Sequence, residues 1–71
     1  MNWIGGYTPD LIITRIVRGE HKVMKFPART DAEAKEIRTT LHEAALRQTE
    51  PIEILIMGQP PMMEVWVRKF Q

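Results

Sequence analysis

Residues 30–33 read Thr30-Asp31-Ala32-Glu33, and this stretch decides the fold that the sequence predicts. It is a capping box, in which the Thr30 hydroxyl accepts a hydrogen bond from the Glu33 amide at the start of a helix. The predicted helix spans residues 31–48. Apolar residues recur through it at helical spacing and form one stripe: Ala34, Ile37, Leu41, Ala44 and Ala45. Because three of these five are alanine, the helix can lie close to a sheet.

The segments on both sides of this helix have the composition of β-strands. Residues 11–17 and 22–26 are rich in β-branched and apolar residues, and a polar turn containing Gly19 separates them. Residues 52–57 and 62–70 form a second pair, joined by a loop that Pro60 and Pro61 make stiff. Pro27 is expected to end the second strand. The predicted fold is α+β, a four-stranded antiparallel sheet (ββαββ) with one helix packed on one face.

The length of 71 residues accommodates one domain. Residues 11–71 are expected to form it, and residues 1–10 to form an N-terminal arm that pivots at Gly5-Gly6. The net charge of +1 gives weak steering toward nucleic acid or an anionic membrane. No apolar run is long enough to cross a membrane, and the first residues do not have the pattern of a signal peptide. With no cysteine in the chain, a cytoplasmic location is expected.

Residue types that carry catalysis or bind metals form no recognisable cluster. The chain contains neither serine nor cysteine, so the two common nucleophiles are absent. Its two histidines, His21 and His42, are far apart and in no ligand-spacing motif. We therefore expect no enzymatic activity, no metal site and no cofactor.

One face of the predicted sheet carries aromatic and charged residues that a single helix cannot cover. Strand alternation places Trp66, Arg68 and Phe70 on the side opposite the aliphatic side chains of the last strand. Three alternatives exist for what covers this face: the N-terminal arm, a second copy of the chain, or a foreign partner. Residues expected to bind a partner belong to this face and to the basic first hairpin: Trp66, Phe70, Arg68, Leu55, Arg15, Arg18, His21 and Lys22.

The sequence FPARTDAEAK at residues 26–35 describes a strand that enters a Thr-capped, alanine-rich helix. Within the predicted hairpin–helix–hairpin pattern of residues 10–70, it resembles several small phage-encoded proteins, including anti-CRISPR inhibitors and inhibitors of host RNA polymerase. The resemblance lies in the architecture and includes no sequence motif. It implies a protein that occupies a surface on a large host enzyme.

The expected function is that of a non-catalytic protein-binding module, with inhibition of a host nucleic-acid enzyme as its specific form. An alternative is a domain that binds single-stranded nucleic acid by stacking bases on Trp66 and Phe70, beside arginines. Glutamates at positions 53 and 64 on the same face would repel phosphates. A second alternative is a structural homodimer, because small domains without disulfides or metals often gain stability by association.

Overall fold

The computed structural model describes residues 8–70. Its elements are α1 (Pro9–Val17), β1 (Val23–Ala28), α2 (Asp31–Gln48), β2 (Ile52–Gln59) and β3 (Met62–Lys69). The three strands form one antiparallel sheet in the order β1-β3-β2. The fold is thus α+β as predicted, but the four-stranded ββαββ arrangement is wrong, because the first predicted strand is a helix.

Helix α1 replaces the strand that was predicted over residues 11–17. The Thr8 hydroxyl caps it by accepting a hydrogen bond from the Leu11 amide at 3.2 Å, and Pro9 and Asp10 occupy the first turn. Proline and an acidic residue both favour this end of a helix. The sequence interpretation placed Pro9 and Asp10 in the N-terminal arm and gave the β-branched composition of residues 11–17 too much weight.

The end of α1 is set by Gly19, which has a φ of +79°. Its N–H donates to the Ile16 carbonyl at 3.1 Å, and the Glu20 N–H donates to the Arg15 carbonyl at 3.0 Å. These two bonds form a Schellman motif, which terminates helices at a left-handed residue. Gly19 therefore ends a helix and does not lie in the turn of the predicted hairpin.

Helix α2 has the bounds that the capping box predicted. The Glu33 amide donates to the Thr30 hydroxyl at 3.1 Å, and the helix runs to Gln48, where Thr49 adopts a left-handed conformation. All five residues of the predicted apolar stripe are buried. This prediction is confirmed because the cap and the 3.6-residue period are both local properties of the sequence.

The sheet is built around β3, which pairs with both other strands. β2 and β3 form a hairpin closed by the pair Gln59 and Met62, and Phe26 of β1 lies opposite Val65 of β3. Pro27 lies inside β1, so the prediction that it ends this strand is wrong. A proline is tolerated there because β1 is an edge strand.

Both helices pack on the same face of the sheet. The side chains between them and the sheet form one core: Ile12, Ile13, Ile16, Phe26, Ala28, Ala34, Ile37, Leu41, Ala44, Ala45, Met63, Val65 and Val67. Ile52, Ile54 and Ile56 of β2 are partly buried against this core. The radius of gyration is 11.3 Å, close to the value of about 11 Å for a compact chain of this size.

Polar contacts join the start of α1 to the end of α2. The Arg47 guanidinium donates to the Asp10 carboxylate at 2.9 and 3.2 Å, and the Gln48 amide donates to the Asp10 carbonyl at 3.0 Å. Asp10 therefore belongs to the helical layer.

Residues 1–7 of the predicted arm lie outside the described residues. Neither described helix has the length and apolar character that a membrane crossing requires.

Candidate protein-binding surface

The sheet face opposite the helices, here called the open face, is covered by no helix of residues 8–70. Strand register brings its side chains into three cross-strand rows. These rows are Val23–Arg68–Glu53, Lys25–Trp66–Leu55 and Pro27–Glu64–Met57. The aliphatic residues of β3 are buried on the helix side, as alternation predicted.

Trp66 lies at the centre of the open face and is partly exposed. The Lys25 ammonium lies 4.2 Å from the centroid of its ring, which is a cation–π contact. The indole N–H donates to the Glu64 carboxylate at 3.4 Å. These two neighbours hold the ring in place while leaving part of its apolar surface in contact with solvent.

A charged pair borders the tryptophan on one side. The Arg68 guanidinium donates to one Glu53 oxygen at 2.7 and 3.2 Å. Both side chains keep contact with water, so the pair stabilises the fold by less than about 1 kcal/mol. Its main effect is to orient Arg68 and to neutralise Glu53, which leaves the centre of the open face with balanced charge.

Exposed apolar side chains extend this surface toward both ends. Met57 is 42% exposed and Met62 is 83% exposed at the hairpin end. At the other end Phe70 is 59% exposed, and its backbone N–H continues the ladder by donating to the Pro51 carbonyl at 2.9 Å. Large exposed apolar side chains around a central tryptophan are typical of surfaces that bind other proteins.

A cleft of about 480 Å³ lies beside the open face, between the end of α1 and the end of the sheet. We call it the basic cleft. Its lining residues are Ile16, Gly19, His21, Lys22, Glu53, Arg68 and Lys69. Glu53 offsets only one of the three lysine and arginine side chains among them, which are Lys22, Arg68 and Lys69. The cleft therefore favours an anionic group.

The predicted site residues separate into three groups in the structure. Trp66, Arg68 and Leu55 share the open face, with Phe70 just beyond the end of β3. His21 and Lys22 lie in the loop before β1 and meet Arg68 in the basic cleft.

The two remaining predicted residues lie near the end of α1. Arg15 forms an ion pair with Glu20 at 3.4 Å in the helical layer, so it does not join the open face. Arg18 is the exposed C-cap residue of α1. Both residues lie apart from Trp66 because residues 11–17 belong to helix α1 and do not form the predicted strand.

The contact between Lys25 and Trp66 was not predicted. Lys25 belongs to the predicted strand of residues 22–26, and the strand expected beside it was the segment of residues 11–17. The real neighbour is β3, which lies far along the chain. A proline inside an apolar strand is an edge-strand signal, and it would have indicated that β1 has a partner on one side only.

The described residues offer no cluster that suggests metal chemistry. Within residues 8–70, no three His, Cys, Asp or Glu side chains lie close enough together to hold a metal ion.

No protein-family model matches the chain, and no curated protein or solved structure is significantly similar to it.

Proposed function

We propose that this chain is a non-catalytic protein-binding module that docks through its open face. The supporting observation is the position of Trp66, which is partly exposed at the centre of a face that neither described helix covers. Tryptophan and arginine dominate the energetics of protein interfaces, and Trp66 and Arg68 are neighbours on the same strand face. Inhibition of a host enzyme, as in the phage proteins that the sequence resembles, is the narrower form of this proposal.

The charges of the open face favour a protein partner over single-stranded nucleic acid. Lys25 lies against the Trp66 ring, where a stacked base would have to displace it. Glu53 and Glu64 balance the charges of Arg68 and Lys25 on this face, so the face has no net attraction for a phosphate backbone. A face with an aromatic centre and equal numbers of both charges matches the composition of protein interfaces.

The basic cleft adds a directional feature to the proposed interface. Lys22 and Lys69 line it, and neither takes part in an ion pair among residues 8–70. A partner with an apolar patch for Trp66 and a carboxylate side chain beside that patch would satisfy both regions in one orientation. We place this binding in the cytoplasm, in keeping with the absence of cysteine.

Replacement of Trp66 tests the proposal. The native chain and the variants Trp66→Ala and Leu46→Ala are immobilised, and proteins retained from a cell lysate are identified by mass spectrometry. Leu46 is the control because it is 63% exposed on α2, on the other side of the molecule. We expect a partner that the native chain and Leu46→Ala retain and that Trp66→Ala loses. For that partner, Trp66→Ala should weaken binding at least about 30-fold, the value for a hot spot of about 2 kcal/mol.

Two further measurements separate this proposal from its alternatives. Circular dichroism establishes that Trp66→Ala remains folded, so that a loss of binding reflects the interface. A salt titration with single-stranded oligonucleotides reports on nucleic-acid binding, whose affinity falls steeply as salt rises. Unchanged retention of the partner by Trp66→Ala contradicts docking through the open face. Tight, salt-dependent oligonucleotide binding that requires Trp66 contradicts a protein partner.

A further inference from the structure

The outer edge of β2 presents unpaired backbone groups within the described chain. The hydrogen bond from Phe70 to Pro51 identifies these two residues as a hydrogen-bonded pair of the β2–β3 ladder. In an antiparallel ladder, such pairs alternate with pairs whose backbone groups point away from each other. The odd-numbered residues of β2 therefore bond to β3. The N–H and C=O groups of Ile52, Ile54 and Ile56 point outward, away from the sheet.

Within residues 8–70, the opposite edge of the sheet carries residues that discourage strand pairing, and the edge of β2 carries none from Ile52 to Met57. The same alternation, carried across β3, leaves Val23, Lys25 and Pro27 with outward-pointing backbone groups on β1. Proline has no N–H to donate, and a lysine on an edge strand discourages pairing. From Ile52 to Met57 the edge strand β2 contains no proline and no lysine, and Glu53 is neutralised by Arg68.

We infer that β2 pairs with β2 of a second copy of this chain in an antiparallel, two-fold arrangement centred on Leu55. The symmetric register places Leu55 opposite its own copy and Ile54 opposite the Ile56 of the other chain. Glu53 then lies opposite Met57, so no like charges meet directly. A two-fold interface requires a surface that is complementary to itself, and this segment meets that condition.

The alternative symmetric registers fit less well. A centre on Ile54 draws Glu50 and Pro51 into the ladder, although both lie before the strand begins. A centre on Ile56 places Ile54 opposite Gly58 and brings the hairpin turn into the interface. The register centred on Leu55 uses residues 52–58, all of which belong to β2.

The helical side of the interface offers additional contact. A groove of about 340 Å³ separates α2 from β2 and is lined by Arg38, Thr39, His42, Ile52 and Ile54. Ile52, Ile54 and Ile56 are only partly buried by α2, so a neighbouring strand completes their cover. Because the contact is confined to a strand edge and the groove beside it, we expect it to bury less than the roughly 800 Å² per partner of a standard interface. The dimer is therefore a weak and reversible one.

Pairing through β2 would leave Trp66 free and join two open faces. The central row would run without interruption through both copies as Lys25–Trp66–Leu55 and its symmetric mate. This goes beyond the proposed function, because a dimer built in this way would present two docking surfaces on one continuous sheet. Two linked surfaces bind a repeated or symmetric partner more tightly than one.

Sedimentation velocity over a range of concentrations tests the association directly. We expect the mass to rise from 8.3 kDa to twice that value as the concentration increases. Leu55→Lys should prevent the rise, because it places two lysines directly opposite each other at the two-fold axis. Val23→Lys is the control, since it adds the same charge to the same face at the other edge. Trp66→Ala should show the same rise in mass with concentration as the native chain, which distinguishes this interface from the open face.

A cysteine placed on the two-fold axis tests the register. The chain has no cysteine, so Leu55→Cys creates a single thiol. Opposed residues at a non-hydrogen-bonded position have the separation that a disulfide requires. We expect Leu55→Cys to form a covalent dimer on the order of tenfold faster than Met57→Cys, because pairing raises the effective concentration of the thiol. Equal rates for the two variants, or a native chain that stays monomeric at every concentration, would overturn the inference.

Discussion

Gly58 has a φ of +83°, and a Cβ atom at this position would lie 2.6 Å from the Met62 carbonyl oxygen. The hairpin between β2 and β3 therefore depends on the absence of a side chain there. Gly19 has a similar φ of +79°, but no heavy atom lies within 4 Å of the position that its Cβ would take. The two glycines thus separate the cost of a left-handed backbone from the cost of a steric clash.

Gly58→Ala is expected to lower the free energy of unfolding by roughly 2–3 kcal/mol, since it combines the left-handed conformation with a backbone clash. Gly19→Ala should lower it by about 1 kcal/mol, because only the conformational cost applies. Urea unfolding of the two variants and of the native chain measures both values. A loss at Gly58 no larger than that at Gly19 would show that the hairpin adjusts to relieve the contact.

At the scale of the element, α1 depends on its cap more than on its intrinsic propensity. Its nine residues include Ile12, Ile13, Ile16 and Val17, which are better suited to strands than to an isolated helix. Thr8→Ala removes the hydroxyl that accepts from Leu11 and should lower the free energy of unfolding by about 1 kcal/mol. Urea unfolding reports the change.

Thr39→Ala is the control for this prediction, because Thr39 lies exposed inside α2 and alanine favours a helix interior. It should leave the stability unchanged or raise it slightly. Equal losses for Thr8→Ala and Thr39→Ala would indicate that the N-cap hydrogen bond contributes little to α1.

The elements differ in how much of their structure is predictable from sequence. α2, β2 and β3 follow from local signals: a capping box, a 3.6-residue stripe and two-residue alternation. α1 does not, because residues 11–17 have a composition suited to strands and because packing against α2 and the sheet overrides that preference. The pattern of Ile12 and Ile13 followed by Ile16 and Val17 is helical rather than alternating, and it is the feature of the sequence that indicates a helix here.

For the candidate site, the sequence predicts which side chains share one face of a strand, but it does not predict which strands are neighbours. Alternation correctly grouped Trp66 and Arg68 on one side of β3 and Leu55 on the matching side of β2. The place of Lys25 against Trp66 depends on which strands are neighbours, and this is a long-range property. Arg15 was misplaced for the same reason, since its assignment depended on a strand that does not form.

At the scale of the whole molecule, four of the five elements contribute to one core and β2 packs against it, so unfolding should be a single transition. Leu41→Ala truncates a fully buried side chain of α2 and should lower the free energy of unfolding by about 2–5 kcal/mol. In a Trp3→Phe background, Trp66 is the remaining tryptophan, so its fluorescence follows the sheet while far-ultraviolet circular dichroism follows the helices.

The two signals should change together in the native chain and should shift together in Leu41→Ala. The Trp3→Phe chain without the Leu41 change is the reference for both. Separate midpoints would mean that the helical layer and the sheet unfold independently, in contradiction to a shared core.

The strand order β1-β3-β2 also has a consequence for biosynthesis. β3 is the last of the five elements to be translated, yet it supplies the backbone partners of both other strands. Until residues 62–69 have left the ribosome, the nascent chain exposes two strands with no ladder between them. The apolar segment from Ile52 to Met57 is then exposed to association with other chains, and the sheet assembles only after β3 emerges.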